Sequence, residues 1–328
     1  MKGQERKYFS PFTFHKAMSE QIATRDAYGK ALAELGDQYP EIVVLDADLS
    51  GSTKTAVFAK KFPHRFFNMG VAEQDMMGTA AGFALDGKMP FVSTFAMFAT
   101  GRAWEIVRQS IVYPHLNVKI CASHAGLTVG EDGASHQTVM DIALMRVMPG
   151  MTVLVPADAT ETEKMVAAAA RHEGPVYIRL SRAKSPVLFS ADYSFQIGRA
   201  RVLTEGDDIG IIACGLMVAH ALEAQKILEK EGIGATVVNS STIKPLDGET
   251  ILSVAKKTKR ILTVEEHSIL GGLGGAVVEF LGSAFPVPVH RMGVKDEFGQ
   301  SGTAEALLKH YRLMPEDIAS EARKIVKY

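Results

Sequence analysis

Two imidazoles, two carboxylates and three glycines crowd into thirteen residues, His124-Ala-Gly-Leu-Thr-Val-Gly-Glu-Asp-Gly-Ala-Ser-His136. The segment follows directly on an apolar, strand-like run, Asn117 to Ser123. Loops just past strand ends are where open α/β sheets place their ligand chemistry. Gly126, Gly130 and Gly133 let the backbone turn tightly and approach a ligand closely, which a Cβ would prevent. No packing role needs so many titratable groups in one stretch. The segment reads as an active-site loop whose histidines hydrogen-bond and transfer protons. A compact set of zinc ligands is missing around His124 and His136, so no metal is expected there.

Other residues of chemical interest also fall just past strand-like runs. Asp48-Leu-Ser-Gly-Ser52 follows the first and Gly70-Val-Ala-Glu73 the second. Phe95-Ala-Met-Phe98 follows the third, and Arg182 closes the sixth. In a parallel sheet these ends share one edge, so remote segments should converge on one crevice. Glu73 opens a helical pattern, where it either complements the helix dipole or shares a proton with a nitrogen base. Phe95 and Phe98 are core residues or a platform for a heteroaromatic ring. Arg25, Ser52 and Arg182 are the donor types that hold a phosphate, although each alone also suits a surface pair or a cap.

The elements that must position these residues alternate with little interruption. Strand-like runs lie at 41–46, 65–68, 90–94, 117–123, 151–155 and 176–181. Helical patterns lie between them at 24–35, 72–85, 103–113, 137–147 and 159–171. Near-continuous apolar strands alternating with helices predict an α/β parallel sheet covered on both faces. The rhythm breaks over 183–206 and then resumes with strands at 209–214, 235–239, 260–264 and 288–292. The chain therefore divides into an extension (1–22), a first α/β domain (23–190) and a smaller second α/β domain (191–328). The Gly271-Gly-Leu-Gly-Gly275 run has Val277 where a dinucleotide fingerprint needs a third glycine, so tight helix–sheet packing is the simpler account.

Composition narrows the function classes. Hydrophobic residues make up 47% of the 328, enough for two ordinary cores. A net charge of −1 lacks the basic excess that nucleic-acid or anionic-membrane surfaces need. The longest apolar run, near Phe91 to Ala99, is too short to span a bilayer. Cys121 and Cys214 lie in strand-like runs and read as small buried residues in a reducing compartment. A cytoplasmic protein with no membrane or nucleic-acid partner is expected.

Taken together, these motifs resemble the transketolase family of thiamine-diphosphate enzymes, over the C-terminal half of a full-length member. The histidine loop is similar to the family's donor-substrate loop, and Asn68-Met-Gly-Val-Ala-Glu73 to its segment carrying the cofactor-activating glutamate. The resemblance implies a pyrimidine-binding domain followed by the family's C-terminal domain. It implies that Glu73 bonds N1′ of the aminopyrimidine, that Phe95 and Phe98 pack on that ring, and that Asp48 lies near the cofactor. His136 would act near the reacting oxygens, Asp132 would bind a donor hydroxyl, and Arg25, Ser52, His124 and Arg182 would hold the sugar phosphate. Where many transketolases carry a third aromatic, this chain has Gly101, with Trp104 a candidate substitute wall.

The Gly-Asp-Gly stretch that binds the diphosphate through Mg2+ in this family is missing from the sequence. The resemblance then implies a split enzyme. A separate N-terminal subunit would hold the diphosphate and Mg2+, sugar phosphates would be the substrates, and α2β2 would be the assembly. Deoxyxylulose-phosphate synthase, the beta subunit of 2-oxo-acid dehydrogenases and a non-catalytic relative are the competing readings.

Overall fold

The computed structural model describes residues 20–327. The expected extension lies outside the described residues up to position 19, and its end belongs to the first strand. The strands are β1 (Gln21–Ala23), β2 (Ile42–Asp46), β3 (Phe66–Asn68), β4 (Met89–Ser93), β5 (Lys119–Ala122), β6 (Thr152–Leu154), β7 (Val176–Arg179), β8 (Lys184–Pro186), β9 (Arg201–Val202), β10 (Ile209–Ala213), β11 (Ala235–Asn239), β12 (Thr242–Lys244), β13 (Ile261–Ser268) and β14 (Val289–Val294).

The chain has the α/β architecture that the alternation predicts. A seven-stranded sheet has the order β12-β6-β7-β5-β4-β2-β3, and all its pairings are parallel except β12 with β6. Strands β2, β4, β5 and β7 are buried at every position, which is why their sequences run apolar without alternating. Helices cover both faces. Helix Thr24–Gln38 buries Tyr28, Leu32 and Leu35 at helical spacing, and helix Glu73–Leu85 buries Met76, Met77, Ala80 and Ala81. A second sheet, β14-β13-β10-β11-β9, is parallel except for the short edge strand β9.

Three features depart from the local pattern. The stretch expected as one helix at 103–113 is a short α-turn, Trp104–Ile106, between wider π-turns at Phe98–Arg102 and Val107–Val112. There the Ala103 and Tyr113 amides reach back five residues, to the carbonyls of Phe98 and Arg108. The helix expected from 137 begins only at Asp141. The carbonyls of Thr138 and Val139 are already engaged by the amides of Gly126 and Ser268, so those residues tie loops together instead. Strand β12 comes from the C-terminal part of the chain yet completes the edge of the first sheet.

The glycine-rich 271–275 run packs tightly. Leu273 and Gly274 at the start of helix Leu273–Ala284 donate their amides to the buried Glu265 carboxylate at 2.7 and 2.8 Å. The chain's own anion occupies the helix N-terminus that a nucleotide phosphate would need. Cys121 and Cys214 are both buried, and burial pushes both thiols up, Cys121 to about 12. Among the described residues no helix is long and apolar enough to cross a membrane.

Candidate active site

Glu73 is the first residue of its helix and is 2% exposed. Its Oε2 is buried without a hydrogen-bond partner among the described residues. The nearest cation is Arg102 Nη1 at 3.9 Å, beyond hydrogen-bond distance and on a guanidinium 60% exposed. Leaving a buried carboxylate oxygen unmet costs on the order of 1–3 kcal/mol, which marks a place where a partner group belongs. Arg102 ends the π-turn that begins at Phe98, so this wide turn joins the carboxylate to the aromatic pair.

Phe95 and Phe98 stack with ring centres 6.0 Å apart, nearly parallel at 14°. Phe95 also stacks on His124 at 3.8 Å. The edge of His136 meets both rings, at 6.1 and 5.5 Å. The two histidines of the loop thus close on one aromatic surface from different sides. Gly101 faces open space, since a Cβ there would touch only Met97, at 3.4 Å. The Trp104 indole N–H donates to the Leu144 carbonyl at 2.9 Å.

His124 has a positive φ of 58°, and the sheet edge fixes its ring. Arg25 Nη1 lies 3.1 Å from its Nε2, and Ser123 Oγ lies 2.8 Å from its Nδ1. A guanidinium only donates, so Nε2 accepts and Nδ1–H donates to Ser123, which fixes the tautomer. Burial, with Arg25 and Arg182 adding to it, lowers the His124 pKa to about 3. The ring is therefore a neutral member of a cationic crevice. Arg25 also donates to Ser52, through the Ser52 backbone carbonyl, at 3.0 Å. Burial lowers the Arg25 pKa as well, and its Nε is buried without a partner among the described residues.

Arg182 stands across the loop, bonded by Nη1 to the Val129 carbonyl. Its Nη1 is also 3.5 Å from Glu131 and 3.6 Å from Asp132, both of which remain exposed. Asp48 lies one strand away at a φ of 63°, where its Oδ1 accepts from Asn68 at 2.8 Å. Contacts therefore link Arg25, Ser52, Phe95, Phe98, His124 and His136 in one cluster, with Arg182 and Asp132 paired beside it at the same loop. Glu73 with Arg102 and Asp48 with Asn68 lie at the neighbouring strand ends.

The loop is also braced from the second domain, which sequence reasoning missed. Gln137 is buried, and its Nε2 faces the carbonyls of Leu127, Gly130 and Gln300 at 3.0, 3.2 and 3.0 Å. The Glu266 carboxylate, at the end of β13, accepts the Thr128 amide at 2.6 Å. Arg179 bridges the domains, donating to Asp141 at 2.8 Å and to the Glu266 carbonyl at 2.9 Å. The one local signal was the pair Glu265-Glu266 inside a buried strand.

A model of the transketolase pyrimidine binding domain matches residues 20–187, and one of the transketolase C-terminal domain matches 198–318. The chain belongs to the transketolase family. Its relatives include a protein of Methanocaldococcus jannaschii bearing the provisional name transketolase C-terminal section. The two are 51% identical over 92% of this chain and 96% of that one. One of the subunits of the apulose-4-phosphate transketolase of Phocaeicola vulgatus is 41% identical over 94% of this chain and 99% of its own. Among solved structures, one described as a split gene transketolase, inactive beta4 tetramer, superposes with a TM-score of 0.86. It is 55% identical and covers 94% of this chain and 99% of that one. Membership in the transketolase family implies dependence on thiamine diphosphate.

Proposed function

We propose that this chain is the C-terminal subunit of a split transketolase, which moves a two-carbon ketol unit from a ketose phosphate to an aldose phosphate. In this reading it works only with a separate N-terminal subunit holding the diphosphate and Mg2+, in an α2β2 assembly in the cytoplasm. Residues 23–190 form its pyrimidine-binding domain and 191–328 its C-terminal domain. The observation that carries the reading is the unmet, buried Oε2 of Glu73, beside a π-turn that presents an aromatic ring.

These residues suit an aminopyrimidine. Glu73 would meet a ring nitrogen and hold or release a proton there, while Phe95 and Phe98 would pack on the ring and Asp48 would border it. When bound, thiamine diphosphate supplies the nucleophilic carbon and the electron sink for breaking a bond next to a ketose carbonyl. Arg25 and Arg182 would hold the sugar phosphate by charge-assisted bonds, with His124 and Ser52 orienting them. His136, beside both aromatic rings, would serve the reacting oxygens as a proton carrier. Asp132 would accept a donor hydroxyl.

The test is reconstitution with a candidate diphosphate-binding subunit, assayed on a ketopentose phosphate and, separately, on pyruvate with glyceraldehyde phosphate. Ketol transfer with the first and none with the second is expected, and the reverse would assign a synthase instead. In the active complex Glu73→Gln should lower turnover by roughly a hundredfold or more. Near-normal turnover would remove Glu73 from the chemistry.

A further inference from the structure

We propose that Glu266, a residue of the C-terminal domain, positions the histidine loop for substrate by clamping its backbone at Gly126–Thr128. Its effect on substrate rests on the function proposed above, whereas the clamp itself is a matter of geometry.

Glu266 is 3% exposed and lies within a run of buried strand residues that ends at His267. Its neighbour Glu265 serves its own domain by capping helix Leu273–Ala284. The Glu266 side chain turns the other way and accepts the Thr128 amide across the domain boundary, at 2.6 Å. The same carboxylate is seated against Gly126. A Cβ at that position would lie 2.5 Å from both Cδ and Oε1, and the backbone there holds a φ of 83°. Only glycine allows this approach. The strand end behind Glu266 is fixed by Arg179, bonded to the Glu266 carbonyl, and by His267, whose Nε2 lies 3.4 Å from the Ala143 amide.

The clamp sits between the two arms that face the phosphate end of the crevice. Two residues before Gly126 is His124, paired with Arg25. One residue after Thr128 is Val129, whose carbonyl holds Arg182. Releasing Thr128 would loosen both arms at once. Glu73 stands on a separate helix with Arg102 as its neighbour. His136 lies at the far end of the loop beside Gln137, which is braced independently by the Gln300 carbonyl, so both proton-handling groups would keep their geometry. Loss of the clamp should therefore show in KM far more than in kcat.

Two substitutions separate a clamp from a merely buried charge. Glu266→Asp keeps the charge beside Arg179 but is one methylene too short to reach the Thr128 amide. Glu266→Gln removes the charge but keeps an acceptor oxygen at the same reach. Hydrogen exchange of the loop amides is read on the purified chain, and KM and kcat for a ketopentose phosphate on the complex with its diphosphate-binding subunit. In Glu266→Asp, Thr128 should exchange at least about tenfold faster, and KM should rise on the order of tenfold with kcat within about threefold. Glu266→Gln should stay within about threefold of wild type in all three. The proposal is overturned if Glu266→Asp leaves exchange and KM unchanged, if kcat falls in step with KM, or if Glu266→Gln is the more damaged of the two. If the wild-type complex transfers no ketol unit, the functional reading fails and the exchange data alone decide the clamp.

Discussion

His124 offers the sharpest quantitative check on the crevice. Burial and the neighbouring Arg25, Arg182 and His136 lower its pKa from 6.5 to about 3. In the unfolded chain the same imidazole takes up a proton below about pH 6.5, whereas the folded protein refuses it until far lower. The unfolded state therefore binds more protons across this window, and stability rises with pH. The contribution is fully present above the unfolded value, is lost as pH falls towards about 3, and levels off below that. Between about pH 6.5 and 4.5 the loss amounts to about 2 kcal/mol. His124→Gln removes the titration while keeping an amide able to bond Arg25 and Ser123. Unfolding in urea at the two pH values, for wild type and variant, isolates the effect. Buried carboxylates raised by desolvation, such as Asp158 and Glu266, shift stability in the opposite sense but are common to both proteins and cancel. The stability difference between the two proteins should move by about 2 kcal/mol in the variant's favour at the lower pH. A difference constant within about 0.5 kcal/mol would refute the idea that the crevice holds His124 neutral.

The remaining predictions concern the loop and its supports. Arg182→Ala should raise KM for a phosphorylated ketose on the order of ten- to a hundredfold, while an unphosphorylated ketose changes by less than about threefold. Equal effects on both would end its phosphate role. Gln137→Leu strips the loop carbonyls of Leu127 and Gly130 of their shared donor and should cost about 2 kcal/mol in urea unfolding. A neutral result would show that water replaces the amide. Arg179→Met leaves the Asp141 carboxylate buried without its cation and should cost about 3–5 kcal/mol, read the same way. A loss below about 1 kcal/mol would mean that Asp141 takes up a proton instead.

The sequence by itself determined the α/β class, because strands buried on both faces must be apolar throughout and helices must repeat at their own period. It also marked which loops are candidates for chemistry. Titratable residues and glycines gathered just past strand ends, and parallel topology brings those ends to one edge. Phe95, His124 and Arg182 were legible for that reason, and Arg25 only as a donor of the type that binds phosphate. Local pattern failed where tertiary contacts override it. The helix expected from 137 starts late because the Thr138 and Val139 carbonyls are engaged elsewhere, and the helix over 103–113 widens into π-turns beside Phe98. Arg102 and Gln137 carry no local mark, and the Glu265-Glu266 pair marks buried acids without naming what Glu266 holds. The partners lie 29, 163 and 138 residues away; the first separation is between Glu73 and Arg102 and the others are from Gln137 to Gln300 and from Glu266 to Thr128. Only the tertiary structure decided that the second domain closes the first sheet with β12 and holds the histidine loop from below. The bonds to the loop join residues more than a hundred positions apart in different domains, and neither period nor composition encodes that meeting.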